Sequence, residues 1–304
     1  MSVGRSRSGK TGRSSYSHPL LRNRELYPNV IQAGPVMAGA VTTSVASLVL
    51  RFNWTLVYQV LDTAGMTFFV ATTGAAVVGA RLKAVGCSVL TRSIASTSAD
   101  RPLDRVLSDI ENSARIIIFW GHALTLRRFM ISAHRSNMTG ADYVYIFFYP
   151  YEYIISQFGN VTWQNDDEDD LTALAAYVAL LVVLPTPATG PHGTNNDYWI
   201  NLWLDPNGTT TTHSQKTTGV PEKTFYAQSH IVNPHLAVPG STVAVCQRFH
   251  LANRSAVLAS RMVNRTFETG GSGTYTFDHA GERLINFDVR QLNLSTGTFE
   301  AVLR

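Results

Sequence analysis

One segment near the start of the chain matches a phosphate-binding pattern. Residues 4–11 read GRSRSGKT, which has the P-loop spacing of two glycines followed by Lys10 and Thr11. A P-loop binds phosphate when a buried strand precedes it and a helix follows it, because backbone N–H groups then surround the anion. Only three residues precede Gly4, and glycine, serine and proline residues follow Thr11. The context of a nucleotide site is therefore missing.

Five consecutive acids, from Asp166 to Asp170, could bind calcium. Calcium loops alternate their ligands and turn on a glycine, and this run does neither. A helical pattern, Leu171 to Val178, follows the acids directly, and carboxylates are stabilised at the N-terminus of a helix by its dipole. We therefore expect a solvated structural role for them. The motifs His-Glu-x-x-His and Cys-x-x-Cys are absent from the sequence, so we predict neither a metal site nor a cofactor.

Several residues that follow short apolar runs could contact a ligand. In open parallel sheets, ligands bind at the carboxyl ends of the strands. That rule selects seven candidates: Asp62, Thr63, Ser93, Gly121, His122, Tyr149 and Tyr151. The tyrosines combine an apolar ring with a polar tip suited to recognition. Each candidate could also be an ordinary loop residue or an aromatic residue packed at the sheet edge. Neither a G-x-S-x-G motif nor a paired acid and base marks a catalytic site, so we predict no enzyme activity.

These candidates need a parallel sheet to position them. Arg115–Trp120 and Tyr143–Tyr149 are apolar runs too short for helices and typical of buried strands. The segment between them has a helical apolar stripe formed by Leu126, Phe129, Met130 and Ala133, and three arginines lie outside that stripe: Arg127, Arg128 and Arg135. Two strands that are buried on both faces and joined by a helix predict a βαβ unit and hence a parallel sheet.

Strand and helix patterns alternate along the rest of the chain. We expect strands over Tyr27–Pro35, Asn53–Val60, Cys87–Ile94 and Leu180–Leu184, and helices over Met37–Arg51, over Gly65–Val85 and from the capping residue Asp100. Gly65–Val85 is nearly apolar enough for a membrane span, but its glycines, threonines and Arg81 favour a buried helix. Further on, we expect a mostly helical Ser241–Phe267 and a hairpin that joins Thr274–Asp278 to Leu284–Leu292.

The composition is that of a globular protein with a sizeable core, with 45% hydrophobic and 15% charged residues. The formal charge of +4 is concentrated near the start, where six basic residues precede the first acid, Glu25. Without those six, 19 basic residues face 21 acidic residues, which excludes a general basic surface for nucleic acid. The two cysteines, Cys87 and Cys246, could pair, but they are too few for a disulfide framework, and we expect two buried free thiols.

Asn-x-Ser/Thr sequons indicate an extracellular protein. Seven asparagines qualify as N-glycosylation acceptors: Asn53, Asn137, Asn160, Asn207, Asn253, Asn264 and Asn293. Residues 1–24 have no apolar core, so they predict a disordered basic arm and not a signal peptide. An incomplete chain would reconcile these two observations.

Several motifs resemble the extracellular ligand-binding region of receptor guanylate cyclases and natriuretic peptide receptors. They are the Ala114–Tyr149 unit with its run NMTGADYV, the order Tyr27-Pro28, Gly34-Pro35 and Phe52-Asn53-Trp54, and a closing set that includes Asn264–Phe267, Phe277-Asp278 and Gly281–Arg283. The resemblance covers the chain from about residue 26 to its end.

This resemblance implies an α/β fold of two lobes, similar to type I periplasmic binding proteins, with parallel sheets flanked by helices. It places residues 25–52 in an incomplete lobe one, 53–225 in lobe two, 226–265 again in lobe one, and 266–304 in a closing hairpin and last strand. With strands missing from lobe one, we expect poor cover for the apolar side chains of Val41, Val45, Leu48 and Leu50 and a weakened ligand cleft.

The resemblance implies the extracellular ligand-binding module of a single-pass membrane receptor of the guanylate cyclase type. The module would bind a peptide or small molecule by lobe closure and act as a homodimer. The alternative is a two-lobed solute-binding protein without a signalling partner.

Overall fold

The computed structural model describes residues 19–32, 38–63, 67–94, 101–150, 158–186, 255–269 and 273–303. After a short 3-10 helix at Pro19–Arg22, the helices are α1 (Ala38–Arg51), α2 (Phe68–Ala84), α3 (Arg101–Ser113), α4 (Ala123–Arg135), α5 (Asp170–Tyr177) and α6 (Ser255–Met262). The strands are β1 (Leu56–Asp62), β2 (Ser88–Ile94), β3 (Ile116–Trp120), β4 (Val144–Phe148), β5 (Leu180–Pro185), β6 (Thr266–Thr269), β7 (Gly273–Phe277), β8 (Arg283–Leu284), β9 (Phe287–Asn293) and β10 (Thr298–Leu303).

Seven of these strands form one mostly parallel sheet in the order β10-β9-β5-β4-β3-β1-β2. The five strands β1 to β5 pair in parallel, β9 pairs antiparallel with β5, and β10 pairs antiparallel with β9. Strand β3, which has a neighbour on each side, is buried along its whole length, as its continuous apolar sequence predicts. The structure therefore confirms an α/β fold with a mostly parallel sheet between helices, consistent with a periplasmic-binding-protein-like fold.

Helices cover both faces of the sheet. The indole of Trp120 packs on Gly74 of α2, whereas the ring of the preceding residue, Phe119, lies 5.4 Å from that of Phe129 in α4. Successive residues of a strand point to opposite faces, so α2 and α4 cover opposite faces. Helix α1 packs against α2, while α4 packs against both α3 and α5. The sheet is therefore doubly wound.

Helix α1 shares the core of this sheet. Its side chains Val41, Val45 and Leu48 are all buried, and they belong to the same hydrophobic cluster as β1 and β3. The expectation that these three side chains would be poorly covered is therefore wrong, because α2 and the sheet supply the missing cover. Leu50, in contrast, is 41% exposed. Residues 38–51 thus pack with the body that sequence analysis named lobe two.

Arg127 is a buried residue of α4, although it lies outside the predicted apolar stripe. Its Nε donates to the Trp163 carbonyl at 2.9 Å, and its two terminal nitrogens donate to carboxylate oxygens of Asp167 and Asp170 at 2.7–2.9 Å. Arg135 pairs with Asp169 in the same way at 2.5 Å. The acidic run therefore has a structural role, as expected: Asp166, Asp167 and Glu168 are exposed, while Asp167, Asp169 and Asp170 pair with arginines of α4.

The C-terminal strands pair differently from the predicted hairpin. Strand β7 pairs with β6 and with the short β8, and these three strands form a second sheet. Residues 287–293 leave this hairpin and form β9 beside β5, with Val289 opposite Val183. The helix predicted over Ser241–Phe267 is described only as α6, because residues 241–254 lie outside the described ranges and Thr266 begins a strand.

The structure also bears on three smaller expectations from the sequence. The strand predicted over Tyr27–Pro35 is wrong for its described part, residues 27–32, which forms a turn and one isolated bridge between Gln32 and Glu282. Cys87 is buried and free, and burial raises the pKa of its thiol, while Cys246 lies outside the described residues. Among the described helices, none combines the length and apolar character needed to cross a membrane.

Candidate functional site

The carboxyl edge of the main sheet brings Asp62 and Gly121 into contact. Strands β1 and β3 are neighbours, but the chain leaves β1 toward β2 and leaves β3 toward β4, so the winding direction reverses between them. Ligands of open α/β sheets bind in the crevice at such a reversal. A Cβ atom on Gly121 would lie 2.4 Å from the Cβ of Asp62. Only glycine lets the backbone after β3 approach β1 this closely.

His122 begins α4 and caps it. Its backbone is extended, with φ −83° and ψ 142°, and its Nδ1 accepts a hydrogen bond from the backbone N–H of Leu124 at 3.1 Å. This satisfies one of the free N–H groups at the helix start. Because Nδ1 is an acceptor, the neutral imidazole carries its proton on Nε2. His122 therefore stabilises the fold and keeps one donor available at the sheet edge.

A glycine turn packs against the imidazole. Gly159 has φ 72°, and a Cβ atom there would lie 2.6 Å from Cε1 of His122. The preceding carbonyl, of Phe158, accepts a hydrogen bond from the N–H of Ala123 at 2.8 Å. Tyr149 is buried, and its hydroxyl donates to the Gly159 carbonyl at 3.0 Å while its ring meets Phe158 edge-on. Tyr149 thus anchors the segment that forms one wall beside His122.

The other sequence candidates have different surroundings or lie outside the described residues. Thr63 joins the ends of β1 and β2, because its N–H and its hydroxyl both donate to the Ile94 carbonyl, at 2.8 and 3.0 Å. Ser93 is exposed on β2, the outermost strand, opposite Leu61. Tyr151 lies outside the described residues. The structure thus brings together Asp62, Gly121, His122 and Tyr149 at the carboxyl ends of β1, β3 and β4.

This edge carries polar groups that can form hydrogen bonds with a ligand. It combines a carboxylate that is 1% exposed, a half-buried imidazole with an Nε2–H donor, and a turn that packs on the imidazole. Within the described ranges, no group of three His, Cys, Asp or Glu side chains converges as metal ligands would.

A second concave region lies between α1 and the segment that joins the small sheet to the main sheet. It is a cavity of about 370 Å³ whose polar lining includes Arg22, Thr43, Ser47, Arg51, Asp278 and Glu282. Sequence reasoning missed it because its walls come from residues more than 200 positions apart. The sequence signal nearest to it is the closing motif around Gly281, which contains Glu282 but gives no sign of the distant Arg22.

Glu282 organises the charges of this cavity. It is 1% exposed, accepts hydrogen bonds from the N–H groups of Gly39 and Ala40 at 2.7 and 3.3 Å, and forms an ion pair with Arg22. A carboxylate at this position complements the free N–H groups and the positive dipole end of α1. Partial burial lowers the pKa of Arg22, but Glu282 and Asp278 outweigh that effect and raise the pKa overall.

The sequon asparagines lie at several places on the surface. Four of them are exposed, Asn53, Asn137, Asn160 and Asn264, and Asn293 is half-buried with its amide bonded to Glu300 at 3.0 Å. Asn207 and Asn253 lie outside the described residues.

Comparison with known proteins agrees with the resemblance found in the sequence. Curated relatives include atrial natriuretic peptide receptor 3 of Rattus norvegicus and of Mus musculus, each 34% identical over 84 residues, and that of Homo sapiens, 33% identical over 84 residues. Each alignment covers 28% of this chain and 15% of the relative. A family model described as a receptor family ligand binding region matches residues 14–295, which is most of the chain. The chain therefore belongs to the family of receptor ligand-binding regions.

Proposed function

We propose that this chain is the extracellular ligand-binding module of a membrane receptor of the guanylate cyclase or natriuretic peptide type. It takes up a peptide or small molecule as two lobes close, and it passes the signal on without converting the ligand. Family membership and the 84-residue match to natriuretic peptide receptors support this proposal. A solute-binding protein without a signalling partner is not better supported by these relatives.

The observation that carries the proposal is the contact between Asp62 and Gly121 at the reversal of strand order. Ligands of open α/β sheets bind at the carboxyl edge where the strand order reverses, and this rule supports the site proposed here. Asp62 gives this site a buried carboxylate, and the adjacent His122 offers its Nε2–H as a donor. This combination suits polar and cationic groups of a peptide better than a purely apolar ligand.

Calorimetric titration with atrial natriuretic peptide as the probe tests the proposal. The chain is expressed behind a secretory signal as the wild type and as Gly121→Ala, with Gly140→Ala as the matched control. A Cβ atom on Gly140 would meet no atom within 4 Å, whereas one on Gly121 must displace Asp62. We expect Gly121→Ala to weaken binding at least tenfold and Gly140→Ala to bind like the wild type.

A second variant separates folding from binding. Asparagine is a good N-cap, so His122→Asn keeps the cap of α4 but removes the imidazole. We expect wild-type unfolding behaviour together with weaker binding of the probe. Failure of the wild type to bind the peptide would contradict the peptide ligand, and equal affinity in all variants would contradict this edge as the site.

We also propose that the receptor acts as a homodimer, by analogy with its family. Sedimentation of the secreted chain with and without the probe tests this, since a dimer doubles the mass. A monomer at all concentrations in the presence of bound peptide would contradict it.

A further inference from the structure

Asn53 lies just beyond the C-terminus of α1 and starts the sequon Asn53-Trp54-Thr55. Its φ is 54°, and its backbone N–H donates to the Leu50 carbonyl at 3.1 Å. Helices commonly end with glycine or asparagine in this left-handed conformation. The fold therefore explains an asparagine at position 53, but it does not explain a threonine two residues later.

Thr55 has no structural role in the described chain comparable to those of other sequon threonines. Its side chain is exposed, and only its backbone carbonyl is engaged, by the N–H of Ser88 at 2.8 Å. In the sequon of Asn137, the hydroxyl of Thr139 bonds Nδ1 of His134 at 2.7 Å. In the sequon of Asn264, the hydroxyl of Thr266 lies 3.0 Å from that of Thr276.

Aromatic side chains flank Asn53 at the surface. Phe52 is 48% exposed, and its ring stacks on that of Trp54 with centroids 5.0 Å apart and an angle of 22° between the planes. Leu50 and Val85, which lies at the end of the neighbouring helix α2, are each 41% exposed. The stacked aromatic pair therefore leaves apolar ring surface exposed beside Asn53, which a covering group can bury.

We propose that Asn53 carries an N-linked oligosaccharide whose inner sugars lie over Phe52 and Trp54. The apolar faces of sugar rings pack well on aromatic rings, and among the described residues the amide of Asn53 has no hydrogen-bond partner to lose. This inference rests on the proposed extracellular location, because the modification occurs in the secretory pathway.

The modification is a group transfer from a polyprenyl diphosphate that carries the oligosaccharide. A bond forms between Nδ2 of Asn53 and the anomeric carbon of the first sugar. The bond from that carbon to the diphosphate oxygen breaks, polyprenyl diphosphate leaves with the electron pair, and one amide proton passes to solvent. The host transferase supplies the donor, and no residue of this chain reacts except Asn53.

The location of Asn53 keeps such a glycan away from the proposed ligand site. Asn53 precedes β1 and therefore lies at the amino edge of the main sheet, whereas Asp62 and His122 lie at the carboxyl edge. Modification at Asn53 and ligand binding can therefore be measured independently.

Secreted expression in eukaryotic cells tests the inference by mass and by peptide mapping after glycosidase treatment. Asn53→Gly keeps a residue that favours the left-handed conformation, and Thr55→Ala keeps Asn53 but removes the sequon. We expect the Asn53 peptide of the wild type to be modified, and both variants to lose the same single oligosaccharide. Both should also bind more of an apolar fluorescent dye than the wild type, because the aromatic pair becomes uncovered.

Asn137→Gly is the matched control, because Asn137 also ends a helix with φ 57°. It should leave dye binding unchanged, and adding Phe52→Ser to the Asn53→Gly variant should reverse the increase. An unmodified Asn53 in secreted protein would overturn the proposal. So would a modified Asn53 whose removal increases dye binding no more than Asn137→Gly does. Titration of glycosidase-treated protein with the peptide probe keeps the ligand-binding proposal under separate test.

Discussion

Replacing Arg127 by methionine should show how much its buried ion pairs stabilise the fold. Methionine has a similar length and good helix propensity, so α4 itself is preserved. The substitution removes four hydrogen bonds, one to the Trp163 carbonyl, two to Asp167 and one to Asp170. It leaves three acceptor groups, the Trp163 carbonyl and the carboxylates of Asp167 and Asp170, without their cationic donor.

The expected loss in free energy of unfolding is about 3 kcal/mol. Removing one partner of a buried ion pair costs about 3–5 kcal/mol, since the remaining charge stays partly desolvated. The lower end applies here, because the side chain of Asp167 is 36% exposed and water can reach it. Arg127→Lys should recover part of the loss, because lysine keeps the charge but not the two-nitrogen fork.

Urea unfolding followed by circular dichroism measures this loss. Arg128→Met is the matched control, because Arg128 is the next residue of the same helix and is exposed. Surface substitutions of this kind usually change stability by less than about 0.5 kcal/mol. If Arg127→Met and Arg128→Met unfold at the same urea concentration with the same slope, the ion cluster does not stabilise the fold and the reasoning fails.

The same variants should differ in their response to acid. Hydrogen bonds from Arg127 and Asn165 lower the pKa of Asp167 from its usual 3.8 to about 2. A carboxyl group whose pKa is lower in the folded state contributes stability above its unfolded pKa, and that contribution is lost as the pH falls through the folded pKa. The stability difference between wild type and Arg127→Met should therefore narrow between about pH 4 and pH 2. A constant difference over that range would contradict the assigned cause.

Three further outcomes are expected. Glu282→Ala should lower the free energy of unfolding by about 3 kcal/mol, because it leaves Arg22 and the start of α1 without their carboxylate, whereas the exposed Glu25→Ala should have little effect; equal urea midpoints would contradict this. Cys87 should react with iodoacetamide at pH 8 more slowly in the folded than in the unfolded chain, because burial raises the pKa of its thiol; equal rates would contradict this. Purified chain should make no cyclic GMP from GTP, and production above a buffer control, measured by immunoassay, would overturn the binding-only proposal.

The parallel core was predictable because its signals are local. The bounds of β3 and β4 were predicted to within one residue at each end, and the predicted stripe lies inside α4, since burial on both faces of the sheet leaves continuous apolar runs in the sequence. The burial of Arg127 was not predictable, because its signals are not local. Its partners, Asp167 and Asp170, lie 40 and 43 positions away, and no period within the helix reveals them.

The pairing of strand β9 also depends on a partner that is distant in the sequence. Alternation marked residues 284–292 as a strand, but alternation does not identify the neighbouring strand. A hairpin with β7 was the nearest choice in sequence, whereas Val289 pairs with Val183. Pairing with β5 buries both faces of β9 more completely than a small hairpin could.

The location of the candidate site was predictable from the sequence, but the role of each side chain in it was not. Strand ends located Asp62, Gly121, His122 and Tyr149, because the carboxyl-end rule depends only on where each strand stops. The helix cap by His122 and the anchoring bond from Tyr149 to Gly159 depend on side-chain geometry, which the sequence does not contain. From the sequence alone, His122 could be either a helix cap or a ligand contact, and only the orientation of its ring distinguishes the two.

The late position of β9 in the chain has a consequence for biosynthesis. Residues 180–185 complete β5 roughly a hundred residues before 287–293 can pair with it. During translation, one edge of the apolar strand Leu180–Pro185 therefore stays unpaired until β9 is synthesised. Such an edge can pair with another nascent chain. Contacts this distant in sequence also form slowly. A chaperone that binds this edge until the last strands are synthesised should therefore raise the yield of folded protein. We expect this effect on yield to be larger than that of the stability of the finished sheet.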